Sequence, residues 1–183
     1  MEVHWKHFEV IDSTNTWARH ALASLDPLAL TVVTAKQQTA GRGRQGRTWF
    51  SPPGVNLIMT LVLFDSIDPG QLTQVMALAV AEETHGKVKW PNDVLREGKK
   101  LAGVLCETAS KPAEARILGV GVNVNMSDED LSQIDQPATS LRACTGHDWE
   151  IESLRCRIID RFMALLEQCR SEGFASIEAR IWS

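Results

Sequence analysis

Two hydrophobic rhythms alternate along the chain and predict a mixture of strands and helices. Short apolar runs bounded by turn residues are typical of strands. Such runs cover Val3 to Ile11, Leu30 to Ala35, Val55 to Leu63, Lys100 to Glu107 and Ala115 to Asn125. A turn over residues 96–99 connects Val94-Leu95 to the fourth run, so we expect these two stretches to pair as a hairpin.

Helical spacing marks three longer segments. Apolar residues three or four positions apart predict one helix after residues 12–15, a second between Asp68 and Gly86, and a third from about Glu150 to Glu172. We assign the apolar stripe of the second helix to the core. The three stripes are Trp17, Ala18, Ala21, Leu22 and Leu25; Leu72, Val75, Met76, Ala79 and Val80; and Leu154, Ile158, Phe162, Leu165 and Cys169.

Composition places the chain among ordinary globular proteins. It has 183 residues, 44% of them hydrophobic, and no apolar run approaches the length that crosses a bilayer. The first residues, Met1 to Lys6, lack the apolar core of a signal peptide. We therefore expect one domain, a cytoplasmic location and no membrane partner. The four cysteines form no C-x-x-C pair and are expected to be reduced.

A loop over residues 37–50 departs from the overall acidity of the chain. The net charge is −4, yet no Asp or Glu occurs between residues 26 and 65. Within that gap three glycines alternate with Arg42, Arg44 and Arg47. Glycine frees the backbone to expose N–H groups and guanidinium groups supply charge, so the loop is suited to hold an anion. A solvated connection and a nucleic-acid surface are the alternative interpretations.

This loop does not fit either common phosphate-binding motif. Residues 41–46 match G-x-G-x-x-G, but Pro52-Pro53 prevents the helix that the dinucleotide-binding motif opens. The Lys-Ser or Lys-Thr pair of a P-loop does not follow the glycines. Trp49 closes the loop with a flat side chain that can lie against a base or pack underneath.

Two further polar clusters stand at the ends of predicted elements. Residues 12–15, Asp-Ser-Thr-Asn, either cap the first helix or make a pocket for a polar ring such as a urea, and both roles can coexist. The step from Trp90 to Asp93 cannot continue a regular central strand, because Pro91 donates no hydrogen bond. Its position between Lys89 and Lys100 indicates a site, and an ordinary turn is the alternative.

Glycines inside the last predicted strand are a third signal. Gly119 and Gly121 indicate a bulge or a place where something approaches the backbone closely. Asn123 follows them and could present its amide to a ligand. A purely structural glycine pair is the alternative.

Five blocks of the chain together resemble biotin protein ligases. They are residues 12–15, 38–47, 89–93, 100–104 and 119–123, in the order found in that family. The resemblance implies an α+β fold with a mixed, largely antiparallel sheet packed by helices, similar to class II aminoacyl-tRNA synthetases and lipoate ligases. It implies a single catalytic domain over residues 1–183. We expect no N-terminal helix-turn-helix domain, hence no DNA partner, and we expect the C-terminal SH3-like barrel of most relatives to be missing.

The resemblance also implies the chemistry and the residues that perform it. Biotin and ATP, with Mg²⁺, would form biotinyl-5′-AMP, and the acyl group would then pass to a lysine of a biotin carboxyl carrier domain. The implied catalytic residues are Lys100, Arg44, Lys89 and Asp93. The implied biotin-binding residues are Ser13, Thr14, Asn15, Gln38, Arg42, Gly43, Arg44, Lys100, Gly103 and Gly121. The implied ATP-binding residues are Arg44, Arg47, Trp49, Lys89, Asn92, Lys100 and Asn123, with no metal ligand directly assigned.

Several roles within this assignment are specific. Lys100 and Arg44 would bridge the biotin carboxylate and the α-phosphate, where fixed cations offset the repulsion of two anions. Trp49 would pack on adenine, and Asp93 would orient or deprotonate the acceptor amine. Gly103 and Gly121 would let biotin lie against the backbone.

Two alternatives to a biotin ligase are retained. A lipoate or octanoate ligase of the same superfamily would use the same adenylation chemistry with a different pocket. A nucleic-acid-binding module using the arginines of residues 37–50 would show steeply salt-dependent binding that survives Lys100→Ala. Family members often pair through the sheet, so a homodimer is also considered.

Overall fold

The computed structural model describes residues 2–109, 112 and 114–182, and these residues build one sheet. Its strands are β1 Val3–Ile11, β2 Leu30–Gln38, β3 Leu57–Phe64, β4 Lys87–Lys89, β5 Asp93–Arg96, β6 Lys99–Thr108 and β7 Ala115–Val122. Their spatial order is β1-β2-β3-β7-β6-β5-β4. Neighbouring strands are antiparallel except β1 and β2. The predicted mixed, largely antiparallel sheet is confirmed.

Helices connect and cover this sheet. The α-helices among the described residues are α1 Thr14–Ala21, α2 Pro69–Thr84, α3 Asp128–Ser132, α4 Leu141–Thr145, α5 Ile151–Glu172 and α6 Ala175–Ile181. Parallel strands cannot be joined by a tight hairpin, and α1 provides the crossover between β1 and β2. Short 3₁₀ turns at Leu22–Ser24 and Arg44–Gly46 complete the connections.

One face of the sheet is closed by an apolar layer. The stripes predicted for α2 and α5 are fully buried there, together with part of α6. Phe162 of α5 shares this core with Leu61 of β3 and with Leu118 and Val120 of β7. We call this side of the sheet the closed face.

The opposite side of the sheet, the open face, is covered only in part. Here Ala18 of α1 and Leu22 of the following 3₁₀ turn share a small apolar cluster with Ile117 of β7. Successive side chains of a strand point to opposite faces, so Gly119 and Gly121 follow Ile117 on this side. Since glycine has no side chain, these positions leave space above the sheet beyond α1.

The interruption predicted before the hairpin is confirmed. β4 ends at Lys89 and β5 begins at Asp93, with a cis peptide bond between Trp90 and Pro91. The predicted hairpin of β5 and β6 also forms, closed by a two-residue turn over residues 97–98. Both turn residues have positive φ, as a tight turn between twisted strands requires.

Other boundaries differ from the sequence-based expectation. β3 begins at Leu57 instead of Val55, and β7 ends at Val122 instead of Asn125. The helices α3, α4 and α6 were not predicted, because segments of five to seven residues are too short to show a helical period. α3 and α4 are nevertheless started by serine caps, Ser127 and Ser140.

The remaining general expectations concern cysteines and membranes. The four cysteines are free, as predicted. Within the described ranges, no helix combines the length and the apolarity needed to cross a bilayer.

Candidate active site

A cavity of about 490 Å³ lies on the open face, between the sheet and the loop over residues 41–49, which we call the arginine loop. Most residues that the sequence singled out line it. They are Ser13, Thr14, Asn15, Gln38, Arg42, Gly43, Arg44, Arg47, Trp49, Lys89, Asn92, Asp93, Lys100, Gly103 and Gly121. Blocks far apart in the chain therefore meet in one place.

Hydroxyl and amide groups form one end of the cavity, at the start of α1. Ser13 caps this helix, with its Oγ accepting from the Thr16 backbone N–H, and it also lines the cavity. Thr14 donates from its backbone N–H and its hydroxyl to Gln38 Oε1, at 2.8 and 3.0 Å. Capping and pocket formation thus coexist at this junction.

Asn15 is held from two sides at the same end of the cavity. Its Oδ1 accepts from the Thr60 hydroxyl at 2.6 Å, and its Nδ2 donates to Glu107 Oε2 at 2.8 Å. Asn15 and Thr60 are buried, at 5% and 0% exposure. Each of these buried side chains therefore has a hydrogen-bond partner, as buried polar groups require.

The arginine loop is folded back on itself as a narrow hairpin. The Gly43 N–H donates to the Arg47 carbonyl and the Trp49 N–H donates to the Gly41 carbonyl. At the tip, the backbone of Gln45 has a φ of 57°, a conformation that residues other than glycine rarely adopt. Arg44 reaches from this tip across the cavity and donates to Asn92 Oδ1 at 3.2 Å.

Lys100 lies at the opposite end from the hydroxyl cluster. Its Nζ is 2.9 Å from Asp93 Oδ1, and the two side chains are 16% and 20% exposed. The same ammonium group lies 5.9 Å from the centre of the Trp49 ring. Hydrogen bonds with residues 137 and 139 hold the Lys100 backbone in place. The ion pair is therefore partly shielded from water and rigidly supported.

Trp49 covers the glycines on the cavity floor. A Cβ added to Gly121 would lie 2.4 Å from Trp49 Cε2, and one added to Gly103 would lie 3.3 Å from Cζ3. The two glycines were expected to make room for biotin, and here they make room for the indole ring. Trp49 Nε1 is buried and has no hydrogen-bond partner among the described residues.

Asn123 is placed differently from the other predicted residues. Its side chain is buried, and Nδ2 donates to the Thr139 carbonyl at 3.1 Å. It follows the last residue of β7 and does not belong to the lining of the cavity. Its amide supports the segment beside Lys100 instead of facing the cavity.

The cations around the cavity differ in their partners. Arg42 pairs with Glu107 and Lys100 pairs with Asp93, while Arg44 contacts a neutral amide. The side chains of Arg47 and Lys89 are exposed and have no hydrogen bond or ion pair with any described residue. Two positive charges at the rim are thus uncompensated, which favours an anionic ligand.

Sequence reasoning missed several residues that line or support the cavity. They are Thr60, Glu107 and Gln136. The sequence did contain one indication of Glu107. It lies four residues after Gly103 in β6, and residues an even number apart in a strand face the same side of the sheet. In the described part of the chain, no three His, Cys, Asp or Glu side chains converge in a way that could hold a metal ion.

Comparison of the sequence with models of known protein families identifies the family of this chain. The model of the biotin/lipoate A/B protein ligase family matches residues 7–123, which include all but one segment of the cavity. This chain belongs to that family. The predicted resemblance to biotin protein ligases is thereby confirmed at the level of the family.

Individual relatives agree with this assignment. The bifunctional ligase/repressor BirA of Bacillus spizizenii is 34% identical, in an alignment that covers 97% of this chain and 58% of BirA. The biotin–acetyl-CoA-carboxylase ligase of Paracoccus denitrificans is 34% identical, with 91% of this chain and 74% of that protein covered. This chain therefore spans 58% of the length of the first of these relatives.

Solved structures agree with the fold. The biotin protein ligase from Aquifex aeolicus, in complex with biotin and ATP, has a TM-score of 0.83 and 29% identity, covering 98% of this chain and 76% of that chain. A lipoate-protein ligase A bound with ATP has a TM-score of 0.67 at 14% identity, and so shares the fold alone. The predicted fold class is confirmed.

Proposed function

We propose that this chain is an ATP-dependent biotin protein ligase. The observation that carries the proposal is a single cavity with a hydroxyl and amide cluster at one end and a shielded lysine flanked by arginines at the other. Such a cavity suits a ligand with a polar uncharged head and an anionic tail. The names of the similar biotin ligases, and the ligands of the Aquifex aeolicus protein, support this choice within the family.

The proposed reaction has two balanced steps. First, a carboxylate oxygen of biotin attacks the α-phosphorus of ATP, so that the phosphoanhydride bond breaks and pyrophosphate leaves with its electron pair. Second, the neutral ε-amine of an acceptor lysine attacks the acyl carbon, an amide bond forms, AMP leaves and the amine loses a proton. The first step brings two anions together, and fixed cations lower its barrier.

Lys100 and Arg44 are the proposed electrostatic catalysts. Lys100 is shielded and held by Asp93, so its charge is placed before any substrate arrives. Arg44 lies at the tip of the arginine loop and touches only the neutral Asn92 in this region, which leaves its charge available to a phosphate. Arg47 and Lys89 would add charge at the rim, where the polyphosphate enters.

The hydroxyl and amide cluster is proposed to bind the ureido ring of biotin. Ser13, Thr14 and Gln38 offer hydroxyl and amide groups at the buried end of the cavity. Arg42 and Gly43 border this end from the arginine loop. The tetrahydrothiophene ring and the valeryl chain of biotin would then run along the glycine floor toward Lys100.

Trp49 is proposed to be the residue that rearranges most on substrate binding. Its ring occupies the floor above Gly103 and Gly121, and its Nε1 has no described partner. Leaving this position would free the floor for biotin and bring the ring to adenine. Asn123 would contribute to the ATP site only indirectly, through the segment that it holds beside Lys100.

Mg²⁺ and the carrier protein complete the proposal. Asn92 and Asp93 present the oxygen donors that Mg²⁺ prefers, and the ion when bound would neutralise phosphate charge. Asp93 is proposed to orient the incoming lysine amine, once the substrates have taken over its partner Lys100. The acceptor is proposed to be a biotin carboxyl carrier domain of a carboxylase, the substrate class in the name of the Paracoccus denitrificans relative.

Biotin-dependent pyrophosphate release with Mg-ATP tests the function directly. We expect biotin to stimulate release and lipoate or octanoate not to do so, and we expect labelled biotin to reach a purified carrier domain. Lys100→Ala should lower the rate by about 10²–10³-fold, because one preorganised cation at the reacting phosphate is lost.

Lys99→Ala is the matched control for this test. Lys99 is the neighbouring residue of β6, is exposed, and does not line the cavity, so its removal should leave the rate within about twofold of wild type. Stimulation by lipoate or octanoate alone would establish the alternative ligase. If none of the three acids stimulates release, the proposed function is wrong.

A further inference from the structure

We propose that Glu107 is a positioning residue whose carboxylate fixes the Asn15 amide with its oxygen toward the cavity and holds Arg42 of the arginine loop against the sheet. This inference rests on the proposed function and extends it to the recognition of the polar head of the substrate. Neither the sequence motifs nor the resemblance pointed to Glu107.

Glu107 receives hydrogen bonds from three side chains, two on α1 and one on the arginine loop. Its Oε2 accepts from Asn15 Nδ2 at 2.8 Å and from Arg42 Nη2 at 3.2 Å. Its Oε1 accepts from Arg19 Nη2 at 3.0 Å. The side chain is only 18% exposed, so these contacts replace most of its hydration. The carboxylate thus connects β6, α1 and the arginine loop.

The chemistry of a carboxylate decides the orientation of the Asn15 amide. An ionised carboxylate can only accept hydrogen bonds, so the Asn15 atom that faces Glu107 must be the donor Nδ2. The Leu105 carbonyl lies 3.5 Å from the same nitrogen, and the Thr60 hydroxyl donates to Oδ1. Both ends of the amide are therefore assigned by their surroundings.

This orientation makes the amide an acceptor toward a ligand. Nδ2 is committed to protein oxygens, while Oδ1 has a second lone pair and lies over the backbone of Gly119, where an added Cβ would be only 2.4 Å away. Gly119 lines the cavity, and its added Cβ would lie 3.0 Å from Nδ2, so Oδ1 is the amide atom nearer to this part of the cavity floor. An acceptor here selects a ligand that presents an N–H group, such as the ureido ring of biotin, over a ring without N–H donors.

Glu107 also anchors the arginine loop, through its ion pair with Arg42. Arg42 pairs with Thr48 as an isolated bridge, and the adjacent Trp49 N–H bonds to the Gly41 carbonyl. Anchoring Arg42 therefore anchors both strands at the base of the loop hairpin. Arg42 is thereby tied to Glu107, and its charge is less available to a substrate anion than that of Arg44.

Calorimetric titration of biotin into wild type and Glu107→Gln is the test. The glutamine amide offers one acceptor oxygen in place of two and sets an NH₂ group against Asn15 or the arginines, so the Asn15 amide is no longer fixed. We expect biotin affinity to fall by about tenfold or more, since hydrogen bonds to a charged group are lost. The KM for biotin should rise by a similar factor, and the KM for ATP should change by less than about threefold.

Glu83→Gln is the matched control. Glu83 of α2 is 22% exposed and pairs with Arg157 and Arg161, but it lies outside the cavity. The Glu83→Gln variant should bind biotin with the affinity of the wild type, while its melting temperature falls because an ion pair is lost. Glu107→Asp keeps an acceptor-only carboxylate and should retain more affinity than the glutamine variant, which a purely steric role would not predict.

A double-mutant cycle separates positioning from general stability. In an Asn15→Ala background, Glu107→Gln should cost less than about threefold in biotin affinity, because the amide that it positions is gone. Additive losses, or a glutamine variant that binds biotin as tightly as wild type, would overturn the inference. A wild type that does not bind biotin would instead overturn the proposed function on which it rests.

Discussion

The two faces of the sheet are made by the same strands and have opposite characters. On the closed face, β7 contributes Leu118 and Val120 to a continuous apolar core. On the open face, the intervening positions Gly119 and Gly121 carry no side chain and form the floor of the cavity. The alternation of a strand lets one segment serve the core and the site at once.

The two faces also differ in the burial and hydrogen bonding of their polar side chains. On the open face Thr60, Asn15 and Glu107 are linked by hydrogen bonds beneath the cavity. Beside the closed face, several ion pairs stand at the helix edges, such as the partly exposed pair of Glu83 and Arg157. Such edge pairs stabilise little, whereas the linked network holds the polar side chains beneath the cavity in fixed positions. The two faces should therefore respond to substitution in separable ways.

The largest expected effect is on the closed face. Leu118→Ala should lower the free energy of unfolding by about 2–5 kcal/mol, since a fully buried side chain is replaced by a cavity. Urea denaturation monitored by circular dichroism measures this loss. Biotin affinity of the folded fraction should stay within about twofold of wild type. Weakened binding with unchanged stability would contradict the separation of the faces.

The second effect is smaller and concerns activity instead of stability. It is expected for a residue of the same strand that faces the open side of the sheet. Gly121→Ala would set a Cβ 2.4 Å from Trp49 Cε2, so the indole ring must leave its place. We expect biotin-dependent pyrophosphate release to fall by about tenfold to hundredfold, since the floor and the loop are both displaced. The free energy of unfolding should change by less than about 1 kcal/mol.

Leu118→Ala serves as the matched variant for this measurement, because it alters the same strand from the other face. Tryptophan fluorescence should report the movement of Trp49 in the alanine variant at position 121 only. Full activity of Gly121→Ala would show that the ring and the glycine floor do not depend on each other.

The smallest effect concerns the reactivity of two thiols. Burial raises the pKa of the Cys106 thiol to about 11, whereas Cys156 of α5 is exposed. At pH 8 about one Cys106 in a thousand would be a thiolate, the form that reacts with iodoacetamide. Mass spectrometry should find Cys156 alkylated and Cys106 unmodified at this pH, with labelling of Cys106 rising only as the pH approaches 11.

The alkylation experiment tests whether the helical layer stays closed over β6, where Cys106 packs against the core. Equal labelling of the two cysteines at pH 8 would mean that the layer over β6 opens in solution. Unfolding in urea should make both thiols equally reactive, which provides the reference.

Local sequence patterns determined much of this protein. The apolar runs and helical stripes predicted the main strands and helices, because periodicity and turn chemistry act over a few residues. The arginine loop, the serine cap of α1 and the interruption at Pro91 were readable for the same reason. Five ordered blocks were enough to indicate the family, since each keeps its own local chemistry.

Only the tertiary structure decided how these pieces act on each other. Asn15 and Arg42 reach Glu107 across 92 and 65 residues of sequence, and no local pattern marks such a contact. Trp49 over Gly121, and Asn123 turned toward Thr139, likewise depend on strand register and loop path. Local chemistry determined which groups were present, and long-range packing determined which of them face a ligand and which hold one another in place.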